Sequence, residues 1–139
     1  MVSLADLVEV SKKIGSTTRK KEKISLLALF LKQGRGREIT LAACYLSGII
    51  PQGRLGIGWT TLQEALKDLP SRFRSLSLVE LDHLLEAISR ERGTGSLERK
   101  TGLLRDLFSY TRKDETEFLA RLMTGEIRQG APAILGDWL

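Results

Sequence analysis

Apolar residues recur along this chain at intervals of three and four, the spacing of one face of an α-helix, and seldom alternate as they would in a half-buried strand. Leu4, Leu7, Val8 and Ile14 form the first stripe, with Ser3 placed to cap the helix that carries it. Ile24, Leu27 and Leu31, joined by Leu26 and Phe30, predict a second helix entered at Ser16 or Thr17 and ended at Gly34. A third is expected around Leu41, Ala42, Tyr45 and Leu46, closed by Gly48 and Pro51. After the glycine-rich connection "PQGRLGIG", a short helix is expected to begin near Thr60 and include Leu62, Ala65 and Leu66. The second half repeats the pattern. Ser77 and Glu80 have capping-box spacing ahead of Leu78, Leu81, Leu85 and Ile88. "GTGS" at 93–96 interrupts, and Leu103, Leu104, Leu107 and Phe108 make the next stripe. Thr111 with Asp114 offers a cap for a helix ending at Thr124. The expected architecture is a single all-α domain over residues 1–139, with about six or seven helices.

Composition narrows the class without naming a function. Apolar residues make up 42% and charged residues 28%, which is the balance of a folded protein rather than a disordered one. No apolar run approaches the ~20 residues that cross a bilayer. The start, "MVSLADLVEV", carries acids where a secretion signal carries bases. With one cysteine, Cys44, no disulfide framework is expected, and the expected compartment is the cytoplasm. Net charge is +5, and its distribution says more than its sum. Residues 1–70 hold 11 Lys/Arg against 6 Asp/Glu, whereas residues 71–139 hold 11 of each. The excess lies wholly in the first half, concentrated in residues 12–37.

Catalytic and metal chemistry find no seat in these residue types. His83 is the sole histidine, Cys44 lies among core-like neighbours, and a zinc site needs several such ligands at fixed spacing. Glu80, Asp82, Glu86 and Glu91 read as a solvated helix face. "GRGREI" and "LGIGWT" fail the spacing of a dinucleotide-binding turn, and no Walker lysine loop occurs. Gly53, Gly56 and Gly58 are expected to permit a tight interhelical crossing, with Leu55 and Ile57 as plugs and Trp59 as an anchor. Catalytic residues, metal ligands and cofactor contacts are therefore not expected in this chain.

Three turns suit phosphate. A helix start exposes unpaired amide donors and a partial positive charge, and a neighbouring glycine lets a phosphodiester reach them without meeting a Cβ. "GSTTRKK" at 15–21 offers Thr17, Arg19 and Lys20. "GTGSLERK" at 93–100 offers Gly93, Thr94, Gly95, Ser96 and Lys100, with Arg99 beside it. "TGEIRQG" at 124–130 offers Gly125, Arg128 and Gly130. No helix carries the Arg/Asn/Gln cluster of a major-groove reader, and aromatics at 6% are too few for a stacking platform. The expected ligand is duplex nucleic acid, held through its backbone without sequence preference.

At these motifs the chain resembles the N-terminal DNA-binding domain of ATP-dependent DNA ligases of the archaeal and bacterial kind. The resemblance covers "LVEVSKKIGSTTRKKEKISLLALFL" and "CYLSGIIPQGRLGIGW". It is densest in "GTGSLERKTGLLRDLFSYTRKDETEFLARLMTGEIRQGA". It implies a helical domain lying across the minor groove of nicked double-stranded DNA, in a clamp with an adenylation domain and an OB-fold domain. It further implies that Gly125, Arg128 and Gly130 approach the sugar–phosphate backbone. The parent ligase would use ATP and Mg2+ to seal nicks in replication, repair or recombination. The family's catalytic lysine belongs to a K-x-D-G motif that does not occur here, so neither adenylation nor ATP binding is expected of this chain. Where the family continues into a further helix after "RQGA", this chain reads "PAILGDWL". A truncated ligase, a fragment of a disrupted gene and a stand-alone product are the alternatives at this point. On the residues alone, two other readings stand: an independent helical DNA-binding protein, since "GTGS" is similar to a helix-hairpin-helix turn, and a helical module for an acidic protein partner.

Overall fold

The structure, a computed structural model, describes residues 1–125. Among them are seven helices: α1 (Leu4–Gly15), α2 (Lys20–Leu31), α3 (Arg37–Leu46), α4 (Trp59–Ala65), α5 (Leu78–Ser89), α6 (Ser96–Ser109) and α7 (Lys113–Thr124). The all-α expectation holds for this part of the chain. Each helix turns its apolar stripe inward. Leu4, Leu7 and Ile14 of α1, Tyr45 and Leu46 of α3, Leu81, Leu85 and Ile88 of α5, and Leu104 and Leu107 of α6 are all fully buried. α5 packs on both α3 and α6, α6 also supports α4, and α1 touches α2, α3 and α7. No described helix is long and apolar enough to cross a membrane.

Local chemistry explains where the helices begin. Ser3 Oγ accepts from the Asp6 amide at 3.1 Å, and the Asp6 carboxylate accepts from the Ser3 amide, so α1 opens with a reciprocal capping box. Ser3→Ala is expected to lower stability by about 1 kcal/mol, read as the shift of a urea unfolding midpoint at constant slope. Ser77 Oγ likewise accepts from the Glu80 amide at 3.1 Å. The reciprocal half of that box is replaced, because the Glu80 carboxylate accepts instead from Arg74 at 2.7 Å.

Two helix starts depart from expectation. α2 begins at Lys20, with Arg19 at its cap, rather than at Ser16 or Thr17. Ser16 is already committed to closing α1, since its hydroxyl donates to Lys13 O at 2.7 Å. Thr17 accepts from the Arg19 amide and pairs its hydroxyl with Glu22. α7 is capped by Glu115 and not by Thr111 with Asp114. The Glu115 carboxylate accepts from the Arg112 amide at 2.8 Å, while Thr111 donates to Phe108 O and closes α6. Glu115 is buried, and that burial pushes its carboxyl above the usual range.

Long-range polar contacts fix how the elements meet. The Arg105 guanidinium of α6 donates to the carbonyls of Ala65, Lys67 and Asp68, capping the C-terminal end of α4 with a positive charge. Asp82 is 4% exposed, so it belongs to the interior and not to the solvated face expected for it. Its carboxylate accepts from Arg37 of α3 at 2.6 Å and from Gln52 at 2.7 Å. Burial raises the Asp82 carboxyl most strongly of any single influence. The hydrogen bonds from Arg37 and Gln52, with the Arg37 charge, together outweigh it and hold the group below its ordinary value.

Candidate nucleic-acid interface

The connection between α3 and α4 is the centre of this site. Gly48, Gly53 and Gly56 adopt φ of 78°, 79° and 69°, so the chain reverses several times within a few residues. Gln52, held by Asp82, fixes one end of this loop. Leu55 is buried and pins its middle, as expected of a plug. Ile57 is only half-buried. Trp59 is 57% exposed, so it is not the anchor its size suggested. Trp59 opens α4 on its exposed side, while Leu62 and Ala65 of the same helix face the core.

Two of the three phosphate-suited turns meet this loop. Lys100, one turn into α6, donates its ammonium to Leu55 O at 2.7 Å. A Cβ on Gly56 would stand 2.8 Å from that Nζ, a flexible side-chain end that can move aside, so it is the φ of 69° that favours glycine here. At the other end, Gly125 closes α7 in the left-handed conformation, with φ of 76°. Gly48, Gly53, Arg54, Thr124 and Gly125 line one depression. Arg54, Gly56, Trp59, Met123 and Thr124 line a second beside it. A Cβ on Gly53 or Gly125 would meet no atom of the described chain within 4 Å. Both turns therefore present bare backbone to solvent.

The "GTGS" turn is built as an exposed hairpin. Gly93 and Gly95 take φ of 81° and 78°, and the Ser96 amide donates to Gly93 O at 3.1 Å. Thr94 is exposed and Ser96 half-buried at the start of α6. Arg99 folds back on this turn. Its guanidinium donates to Thr94 O and Arg92 O, each at 3.0 Å, and pairs with Glu91, so its charge braces the turn.

The first turn is arranged differently. Thr17 pairs with Glu22, Arg19 lies 3.6 Å from the same carboxylate, and Lys20 is exposed. Its neighbour Gly15 shares a depression with Phe118 and Arg121 of α7, one helical turn before Gly125. α7 thus borders both the first turn and the glycine loop. Arg128 and Gly130 lie outside the described residues. Arg54 is the cation that the sequence reading passed over. It stands between Gly53 and Gly56 in "GRLGIG", a pattern read there as packing between helices.

Among the described residues, no group of three or more His, Cys, Asp or Glu side chains could hold a metal ion. Cys44 is half-buried, and burial pushes its thiol up.

Comparison with known proteins places the chain in a family. Residues 69–133 match the model of the family described as DNA ligase N terminus. A probable DNA ligase of Rhodococcus opacus is 36% identical over 127 residues, covering 91% of this chain and 25% of that protein. One from Streptomyces griseus is 37% identical over 137 residues, covering 98% of the chain and 26% of the relative. One from an Anaeromyxobacter species is 37% identical over 131 residues, covering 94% and 25%. The chain spans about a quarter of the length of the relatives it matches. Through the matched segment, and through relatives that align along nine-tenths or more of its length, the chain belongs to the DNA ligase N-terminus family.

Proposed function

We propose that this chain is the DNA-binding part of an ATP-dependent DNA ligase, gripping double-stranded, nicked DNA through the minor groove and phosphate backbone without reading sequence. The observation that supports it best is the pairing of bare, left-handed glycine backbone at Gly53 and Gly125 with the exposed Arg54 on one surface. A phosphodiester can approach such backbone without meeting a side chain, and the guanidinium supplies charge beside it. Thr17, Arg19 and Lys20, then Gly93 to Ser96 with Lys100, extend the contact. Arg128 and Gly130, which follow Gly125 in sequence, are proposed to add to the same contact. In this reading the chain supplies grip and orientation. Nucleotide and Mg2+ chemistry fall to the adenylation and OB-fold domains, because no K-x-D-G sequence occurs in these 139 residues.

Fluorescence anisotropy with two unrelated labelled duplexes tests the proposal. Both should bind alike, and log affinity should fall linearly with log salt, by roughly 0.9 per phosphate contacted. Binding that ignores salt, or strongly prefers one sequence, would count against it.

A further inference from the structure

We infer that Trp59 is a DNA-contacting side chain, packing its indole against the deoxyribose edge of the groove while Arg54 engages a flanking phosphate; this rests on the duplex-binding reading above. The indole is 57% exposed at the mouth of the loop that carries Arg54, Gly56 and Gly58. It does not stand alone: half-buried Ile57 and Met123 continue the apolar rim. An apolar rim bounded by Arg54 on one side and by the open Gly125 turn on the other fits an occupant with charge outside and carbon inside. The backbone of a nucleic-acid strand has that layout, with phosphates along its outer edge and sugar carbons between them. An acidic protein surface offers carboxylates but no regular apolar rail between them.

The partial burial of the ring decides the mode of contact. A wedge that opens a base step must stand clear of its own protein. Trp59 is partly covered, with Ile57 and Met123 beside it, which favours its free face lying along a groove wall over entering the stack. The contact is therefore neutral to sequence. It also releases no counterion, because no charge is neutralised.

Those two properties define the test. In the full chain with Trp138→Phe, Trp59 is the sole tryptophan. Addition of a nicked duplex should change its emission and protect it from acrylamide quenching. Trp59→Ala should weaken duplex binding by about fivefold, the lower end of what an aromatic contact to nucleic acid contributes. The line of log affinity against log salt should shift down without changing slope. Arg54→Ala, in contrast, should flatten the slope by about one phosphate's worth, roughly 0.9. Circular dichroism of each variant checks that the helices are intact. If duplex binds while Trp59 emission and quenching stay unchanged, or Trp59→Ala binds within twofold of the parent, the inference is overturned and the duplex-binding reading stands. A loss confined to one duplex sequence would mean a base contact and would also overturn it. If no duplex binds the parent chain, both fall together.

Discussion

Asp82→Ala is expected to lower stability by about 2 kcal/mol at neutral pH, the range for losing hydrogen bonds to a buried charged group. Its carboxylate joins Arg37 of α3 and Gln52 of the glycine loop to α5, so three segments lose a shared acceptor. The pH dependence identifies the cause. Asp82 is held below its ordinary value in the folded protein. In the acid range the unfolded chain therefore binds the extra proton first, and the stability this group contributes is present above the unfolded value. That contribution disappears as pH falls through the depressed folded value. The gap between parent and Asp82→Ala should accordingly narrow on acidification from about pH 5 downward. Glu38, Glu80 and Asp114 are also held low, but they are common to both proteins and cancel in the difference. Urea unfolding at several pH values measures it. A gap that stays constant with pH would mean that Asp82 matters through packing and not through charge.

Gly125→Val should separate binding from folding most sharply. The backbone there has φ of 76°, where a β-branched side chain is strained by roughly 1–2 kcal/mol. No described atom lies within 4 Å of the position a Cβ would take, so among the described residues the strain comes from φ and not from a clash. If the turn lies against a DNA strand, the valine side chain would occupy the space the strand needs. Duplex affinity should then fall by about thirtyfold, roughly 2 kcal/mol, in protein that remains folded at the assay temperature. Gly125→Asn is the control, because asparagine tolerates the left-handed region. It should keep most of the stability and still weaken binding, since it too carries a Cβ. Arg128→Ala should weaken all duplexes alike and reduce the salt slope by roughly 0.9. Unchanged affinity in folded Gly125→Asn and Arg128→Ala proteins would make this turn a helix terminus and nothing more.

The helices were legible because each one carries a stripe that must be buried. Leu81, Leu85 and Ile88, or Leu104 and Leu107, leave no other regular structure open to them. The failures lie where one residue type serves two purposes. Ser16 and Thr17 have the chemistry of helix starts, yet Ser16 closes the helix before it and Thr17 pairs with Glu22. Asp82 stands between Leu81 and His83 in a helix that also carries Glu80 and Glu86, and nothing local reveals that Arg37 and Gln52 reach it from far along the chain. The candidate site was half visible. Its glycines drew attention, but the sequence could not show that the loop at 53–59 and the end of α7 line adjoining depressions, which is what gives Arg54 its setting.

The first residues of the chain also carry a consequence for how the protein is made. Val2, Ser3 and Leu4 are stitched to Leu76, Ser77 and Leu78: the Leu4 amide donates to Leu76 O at 2.8 Å, and the Leu78 amide donates to Val2 O at 3.0 Å. Closing a loop of about seventy residues costs chain entropy that no local contact can offset in advance. During synthesis α1 emerges before these partners, which follow only after α2, α3 and α4. α1 can pack on α2 early, but its N-terminal strand-like pairing with residues 76–78 closes only over that long separation, and non-local contacts of this kind are expected to slow folding relative to what helix content alone implies.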